Sequence, residues 1–156
     1  MHHDGYDYTD GIRRWRSFAT TRFEPGTGDL PAGFIVSSQL RVDEERKAAL
    51  AAAYEAPFPD ASFKAGIRRF PWMLPFAQPG EGNAVDQERC FRALAAWTKP
   101  IHFIFGDRDD VFTLEWERSW AAQFAQATVD MVSGPHFPQE ESPEAIVGLM
   151  LRYMSL

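Results

Sequence analysis

The sequence has one cysteine, no long apolar run and fewer basic than acidic residues. Among 156 residues, 16 are Lys or Arg and 22 are Asp or Glu, which gives a formal charge of −6. Because this charge repels phosphates, the composition argues against a nucleic-acid-binding surface. With Cys90 alone, an intramolecular disulfide and a cysteine-based metal cluster are excluded. No run approaches the ~20 apolar residues of a membrane-spanning helix. No signal peptide is visible at residues 1–6, so we expect a cytoplasmic protein.

Residues 1–98 have the pattern of helices joined by loops rich in proline and glycine. We predict helices over 11–20, 43–54, 60–69 and 85–97. The signals are apolar side chains at helical spacing, acidic residues in the first turn, or a capping residue. The apolar run at 34–36 is too short to assign to either type. Cys90 falls on the apolar side of the last predicted helix, so we expect it to be buried rather than reactive.

Residues 99–156 alternate strands and helices. Apolar runs predict strands over 100–105 and 128–132, and helical spacing predicts helices over 113–125 and 143–154. This order is typical of a βαβα unit with parallel strands and a right-handed crossover. The almost continuous apolar character of the first run predicts burial on both faces. In the last helix we expect a buried stripe made of Ile146, Val147, Met150, Leu151 and Met154.

Two parallel strands are too few for an independent sheet, because such a sheet needs cover on both faces and neighbouring strands. We therefore expect the chain to be the C-terminal portion of a larger domain, either a truncated product or a gene model with a misplaced start. The alternative is a complete small α+β domain with a minimal sheet. Cooperative unfolding of the purified chain as a monomer would favour that alternative.

Two side chains that can share a proton follow the two predicted strands. Asp109 comes shortly after the first strand, and His136 follows the second, 27 residues later. Ligands of open α/β sheets bind at the carboxyl ends of the strands, where a carboxylate can orient an imidazole that acts as a base. The order Asp then His suits the last two members of an α/β-hydrolase triad. Asp107 and Asp110 fit a turn, and His102 fits a strand position.

Three segments resemble the haloalkane dehalogenases, a family of α/β-hydrolases. The longest is AYEAPFPDASFKAGIRRFP at 53–71, which is similar to a segment of the family's cap. The sequence HFPQE at 136–140 resembles the family's histidine loop. The segment 97–109, which ends in GDRD, resembles the part that holds the triad acid. The resemblance extends from about Gly11 to the C-terminus.

The resemblance implies an α/β fold, namely the C-terminal part of an α/β-hydrolase. A helical cap region at 1–98 would precede the end of the core domain at 99–156. It also implies a reaction in which a carboxylate displaces halide from an alkyl carbon and forms an ester, which histidine-activated water then hydrolyses. The implied partner of the complete enzyme is a halogenated alkane, and no metal or other cofactor is implied.

Carried over position by position, the resemblance assigns Asp109 as the triad acid and His136 as the base. Trp15 is similar in position to the cap tryptophan that holds the departing halide, and an indole N–H, a donor without an acceptor, suits an anion in an apolar pocket. Ordinary core packing is an equal alternative for Trp15. The implied pocket lining consists of Phe58, Pro59 and Phe137, the last of which could instead pack behind the imidazole.

The chain lacks the nucleophile that this reaction needs. No Gly-x-Asp-x-Gly or Gly-x-Ser-x-Gly elbow occurs in the sequence. We therefore expect no significant dehalogenase or esterase activity from this polypeptide alone. Two other interpretations stay open. One is a relative of the epoxide hydrolases or esterases, and the identity of the missing nucleophile, aspartate or serine, would decide between this and a dehalogenase. The other is a non-catalytic protein that binds a partner, or itself, through an exposed sheet edge.

Overall fold

A computed structural model of the chain describes residues 10–22, 29–74 and 83–154. The first half of the chain is helical, as predicted. Its helices are α1 (Asp10–Arg22), α2 (Ala32–Ser37), α3 (Glu44–Glu55), a 3₁₀ turn (Ala61–Lys64), α4 (Ala65–Met73) and α5 (Ala84–Ala95). None of the helices in these ranges combines the length and apolar character needed to cross a bilayer.

Side-chain caps explain where two of these helical segments begin. The carboxylate of Asp43 accepts a hydrogen bond from the backbone N–H of Arg46 at 2.8 Å at the start of α3. Asp60 accepts from the N–H of Ser62 at 2.8 Å at the start of the 3₁₀ turn. The predicted end near residue 69 was too early, because α4 continues to Met73 with Pro71 inside it.

The second half of the chain is the predicted βαβα unit. Its elements are β1 (Ile101–Gly106), α6 (Leu114–Ala121), β2 (Ala127–Val132), α7 (Pro138–Glu141) and α8 (Pro143–Met154). The strands are parallel, with a register that runs from Ile101 opposite Ala127 to Gly106 opposite Val132. Helix α6 ends four residues earlier than predicted, and the chain turns before it enters β2. The parallel register brings the carboxyl ends of both strands to the same edge.

Three predictions of burial were wrong. Only Gly106 is buried in β1, whose other residues are partly exposed. The expected stripe of α8 is largely open, since Val147, Met150, Leu151 and Met154 are 51–79% exposed. Cys90 is exposed on α5. The sheet has two strands within the described ranges, and a two-stranded sheet offers too little surface to bury these apolar faces.

An aromatic cluster packs α5 against α6 and the turn before β2. The ring of Phe91 lies 5.4 Å from that of Trp120 and 5.7 Å from that of Phe124, centroid to centroid. Trp116 stacks on Trp120 at 5.6 Å. Tilted and offset-stacked pairs at these distances add to the burial of apolar area, which stabilises the position of α6 relative to α5.

A buried lysine ties the helical half together. Lys64 is 1% exposed, and its ammonium contacts the carboxylates of Asp29, at 2.5 Å, and Glu55. The other carboxylate oxygen of Glu55 accepts the backbone N–H of Gly33 at 2.9 Å. This N–H and the ammonium hold the pKa of Glu55 below its usual range. Burial alone would lower the pKa of Lys64, but its hydrogen bonds to Asp29 and Glu55 raise it.

The short helix α7 joins the helical half to the sheet through two glutamates. Glu140 and Glu141 accept hydrogen bonds from Tyr54, Arg46, Arg41 and Arg108. The hydroxyl of Tyr54 donates to Glu140 Oε1 at 2.6 Å, and Arg108 Nη2 donates to Glu141 Oε2 at 2.9 Å. Burial and the bond to Glu140 raise the pKa of Tyr54. The segment that follows His136 is therefore anchored on both sides.

Candidate active site

The loops that follow β1 and β2 are bonded to each other. The backbone N–H of Asp107 donates to the carbonyl of Val132 at 2.9 Å, and that of Arg108 donates to the carbonyl of Gly134 at 3.0 Å. The carboxylate of Asp107 accepts the N–H of Gly134 at 2.9 Å. Asp107 lies in a turn, as expected, but its carboxylate bonds to the other loop. These bonds fix the distance between the two loops.

Glycine at position 106 permits this close approach. A Cβ atom at Gly106 would lie 2.4 Å from the carbonyl oxygen of Gly134 and 2.5 Å from that of Pro135. Both distances are far below van der Waals contact, and both neighbours are backbone atoms that cannot move aside as a side chain can. Any larger residue at 106 would therefore push the two loops apart.

Asp109 and His136 meet between these loops. Asp109 Oδ2 lies 2.9 Å from His136 Nδ1. Its other oxygen, Oδ1, accepts the backbone N–H groups of Val111 at 2.8 Å and Phe112 at 3.0 Å. The Asp109 side chain is 7% exposed and that of His136 is 25% exposed. A carboxylate held in this way favours the tautomer with the proton on Nδ1, which leaves Nε2 free to accept a proton.

Aromatic rings surround the imidazole on two sides. Phe112 lies 5.4 Å from the ring of His136 in a tilted arrangement, and Phe137 lies 5.0 Å away, edge to face. Phe137 thus packs against His136, the second of the two positions considered for it from the sequence. The rings limit the access of water and restrict the rotation of the imidazole.

One cavity contains both His136 and Trp15. It has a volume of about 300 Å³, and its lining is mostly apolar, with Phe70, Leu74 and Phe112 among the contributors. The polar side chains Asn83 and Gln87 also face it. The structure therefore brings the predicted halide-binding tryptophan and the predicted base to the same space, although they are far apart in sequence.

A second close approach of backbone holds α1 over the acid loop. A Cβ atom at Gly11 would lie 2.4 Å from the carbonyl oxygen of Asp110 and 2.7 Å from the Cα atom of Val111. Helix α1 therefore packs directly on the loop that carries Asp109. Trp15 lies one turn further along this helix, which places it at the cavity.

Phe58 and Pro59 are not among the residues that line this cavity. Phe58 instead lies near Lys64, whose ammonium nitrogen is 5.8 Å from the centroid of its ring. Pro59 is exposed in the turn between α3 and the 3₁₀ segment. The segment 53–71 was the one most similar to the family's cap, but its implied pocket residues, Phe58 and Pro59, lie outside the cavity that holds His136.

The structure adds a buried acid near Asp109 that was not among the predicted site residues. Glu117 on α6 is fully buried, and neither of its carboxyl oxygens has a hydrogen-bond partner among the described residues. Burial, together with the negative charge of Asp109, raises the pKa of Glu117 to about 7. The signal was present, because Glu117, Ala121 and Phe124 share one helical stripe, but the neighbouring stripe of tryptophans dominated the pattern.

The sequence is similar to proteins named as haloalkane dehalogenases. The one from Psychrobacter cryohalolentis is 30% identical over 156 residues, which cover 96% of this chain and 48% of that protein. The one from Mycolicibacterium paratuberculosis is 39% identical over 99 residues, which cover 62% of this chain and 30% of that protein. No protein-family model matches the sequence.

The solved structures agree with the sequences. The crystal structure of an ancestral haloalkane dehalogenase, AncHLD2, superimposes with a TM-score of 0.74 at 25% identity, over 94% of this chain and 52% of that one. The chain resembles a haloalkane dehalogenase. Its fold is the C-terminal part of an α/β-hydrolase, and it spans about half the length of the Psychrobacter relative. The dehalogenase-like part contains Asp109 and His136 but no nucleophile elbow.

Proposed function

We propose that this chain contributes the cap and the acid–base pair of a haloalkane dehalogenase site, which hydrolyses a carbon–halogen bond to an alcohol and a halide. One observation carries the proposal: the Asp109–His136 pair shares an apolar cavity with Trp15. In this assignment residues 1–98 form the cap region and 99–156 form the end of the core. Because the fold depends on no disulfide, a cytoplasmic location fits it.

The geometry supports a separate role for each of the three side chains. Trp15 offers an indole N–H to the departing halide, and an apolar wall strengthens this bond by excluding water. His136 Nε2 accepts a proton from the water that attacks the ester, while the hydroxide oxygen joins the acyl carbon and the alcohol leaves. Asp109 stabilises the resulting imidazolium. The carboxylate that forms the ester lies outside this sequence, so the chain alone is inactive.

Reconstitution from two polypeptides tests this function. The chain is co-expressed with the N-terminal half of the Psychrobacter relative, and halide release from short chloro- and bromoalkanes is measured. We expect release from the pair and none from either half alone. His136→Gln should reduce the release to background, because it removes the base. His102→Gln is the matched control, since His102 lies on β1 beside Thr128 and Tyr153 and should leave the rate unchanged.

Two results would contradict the proposal. One is halide release by the chain alone, and the other is release by the pair that does not depend on His136. The same pair is also given an epoxide and an activated ester. Hydrolysis of either one without dehalogenation would favour the epoxide hydrolase or esterase alternative.

A second proposal concerns association of this chain with itself. It is favoured by the exposed apolar face of α8 and by the edge of β1, which pairs with no further strand in the described part of the chain. Apolar surface of this kind and an unpaired strand edge promote association. We expect the purified chain to elute as a dimer or larger species in size-exclusion chromatography with light scattering. The double variant Leu151→Lys/Met154→Lys should shift it toward the monomer. Glu144→Lys, an exposed change on the same helix, should not, and a wild-type monomer would contradict the proposal.

A further inference from the structure

We propose that Glu117 is a positioning residue for the acid–base pair, which acts through Asp109 to set how strongly His136 binds a proton. The carboxyl of Glu117 is either protonated and neutral or ionised and negative. Only the ionised form stabilises the protonated ring of His136. The inference rests on the proposed function only where it gives His136 the role of a base. The placement of Glu117 and its effect on the imidazole are independent of that role.

The sequence forces this glutamate into the interior. Thr113 accepts the N–H of Trp116 on its hydroxyl and caps α6, and the carbonyl of Thr113 accepts the N–H of Glu117 at 2.9 Å. The helical phase set by this cap puts Glu117 on the same face of α6 as Ala121, which is also buried. An apolar side chain would satisfy this position at no electrostatic cost, so the carboxyl is the feature that needs an explanation.

The two buried carboxyls have opposite surroundings. Asp109 accepts two backbone N–H groups on one oxygen and faces the imidazole with the other. Glu117 has no hydrogen-bond partner for either oxygen within the described part of the chain. Burial without a hydrogen-bond donor and the negative charge of Asp109 both disfavour the ionised form of Glu117, so Glu117 holds its proton more tightly than an ordinary glutamate does.

The other charged groups near this site are already engaged or exposed. On α6 itself, Glu115 and Arg118 face solvent. In the loop after β1, Asp110 is exposed and Arg108 is paired with Glu141. On β2, which packs against α6, Asp130 is paired with Arg152. Asp109 is the charged neighbour that acts on Glu117, and it is hydrogen-bonded to His136, so the coupling runs from Glu117 through Asp109 to His136.

The chemical consequence concerns the basicity of His136 near neutral pH. While Glu117 is neutral, the imidazolium is stabilised by one carboxylate. When Glu117 loses its proton to solvent, a second negative charge lies behind Asp109, and the imidazolium becomes more stable. The pKa of Glu117, raised to about 7, places this change in the range where histidine titrates.

Nuclear magnetic resonance of the full chain tests this coupling without any activity assay. The ring signal of His136, assigned by its loss in His136→Gln, is followed from pH 5 to 9. We expect the titration midpoint in the wild type to lie at least about 0.5 pH unit above that in Glu117→Gln, a roughly threefold change in proton affinity. Glu115→Gln, an exposed change on the same helix, should leave the midpoint within about 0.1 unit of the wild type.

A second variant and the carboxyl signal of Glu117 itself distinguish an electrostatic effect on His136 from a change in packing. Glu117→Met keeps the volume and should lower the midpoint as Glu117→Gln does. The ¹³C-labelled carboxyl of Glu117 should titrate well above the ordinary glutamate range. Equal midpoints in the wild type and both variants overturn the inference, as does a Glu117 carboxyl that titrates in the ordinary range. A shifted midpoint in this experiment, together with no halide release from the reconstituted pair, would overturn only the proposed function.

Discussion

The double variant Asp29→Asn/Glu55→Gln is expected to lose about 3–5 kcal/mol of unfolding free energy. Both changes keep the shape of the side chain and remove its negative charge. The ammonium of Lys64, which is fully enclosed, would then lie in the interior without a carboxylate. An uncompensated buried charge is among the most costly defects in a folded protein. Urea denaturation followed by circular dichroism measures the loss.

A third change separates the charge from the packing. When Lys64→Met is added to the double variant, we expect most of the lost stability to return, because the buried charge is gone and its volume is filled. Glu44→Gln is the matched control. It removes an exposed partner of Lys47 in α3 and should cost about 0.5 kcal/mol or less. A double variant as stable as this control would mean that Lys64 does not depend on its two acids.

The stability of the chain should also depend on pH in a way that Glu117 controls. The pKa of Glu117 is raised from 4.5 to about 7 in the folded chain. Between these values the folded state holds a proton that the unfolded state has released, so stability falls as pH rises. The bound proton of Glu117 adds about 3 kcal/mol to the unfolding free energy. This stabilisation is fully present below pH 4.5 and is lost by about pH 7.

The variant Glu117→Gln has no carboxyl at this position, so its unfolding free energy should not fall in this way as pH rises. The measurement is the difference in unfolding free energy between variant and wild type from pH 4.5 to 8, which cancels the effects of other groups. We expect the difference to change by about 3 kcal/mol in favour of the variant and to level off above pH 7. Glu115→Gln should give a flat difference. Parallel curves for the wild type and Glu117→Gln would contradict the buried, neutral glutamate.

The sequence predicted the elements and the acid–base pair well because local rules determine both. Caps such as Asp43 and apolar runs such as 101–105 fix where elements begin and of what type they are. Parallel strands bring their carboxyl ends to one edge, so Asp109 and His136 had to come close once the strands were identified. The catalytic role assigned to them remains a prediction.

Burial was predicted poorly because periodicity identifies an apolar face but not what covers it. Met154 and Leu151 are apolar at helical spacing, yet they are exposed, and so is Cys90. Glu117 is the reverse case, because a charged residue not singled out from the sequence is fully buried. The resemblance implied a pocket near Trp15 and His136, but most of its lining could not be predicted, because it depends on the contact of Gly11 with the loop that carries Asp109, far away in sequence.

The parallel pairing of β1 and β2 has a consequence for the order of folding. Asp109 and His136 are 27 residues apart, whereas the contact of Tyr54 with Glu140 spans 86 residues. Closing the shorter loop costs less chain entropy, and contacts of low sequence separation form faster. We therefore expect closure of the βαβ unit to bring Asp109 and His136 together before the helical half is attached. On this expectation the geometry of the pair belongs to a local folding unit, and the contacts of Tyr54 and its neighbours are added later.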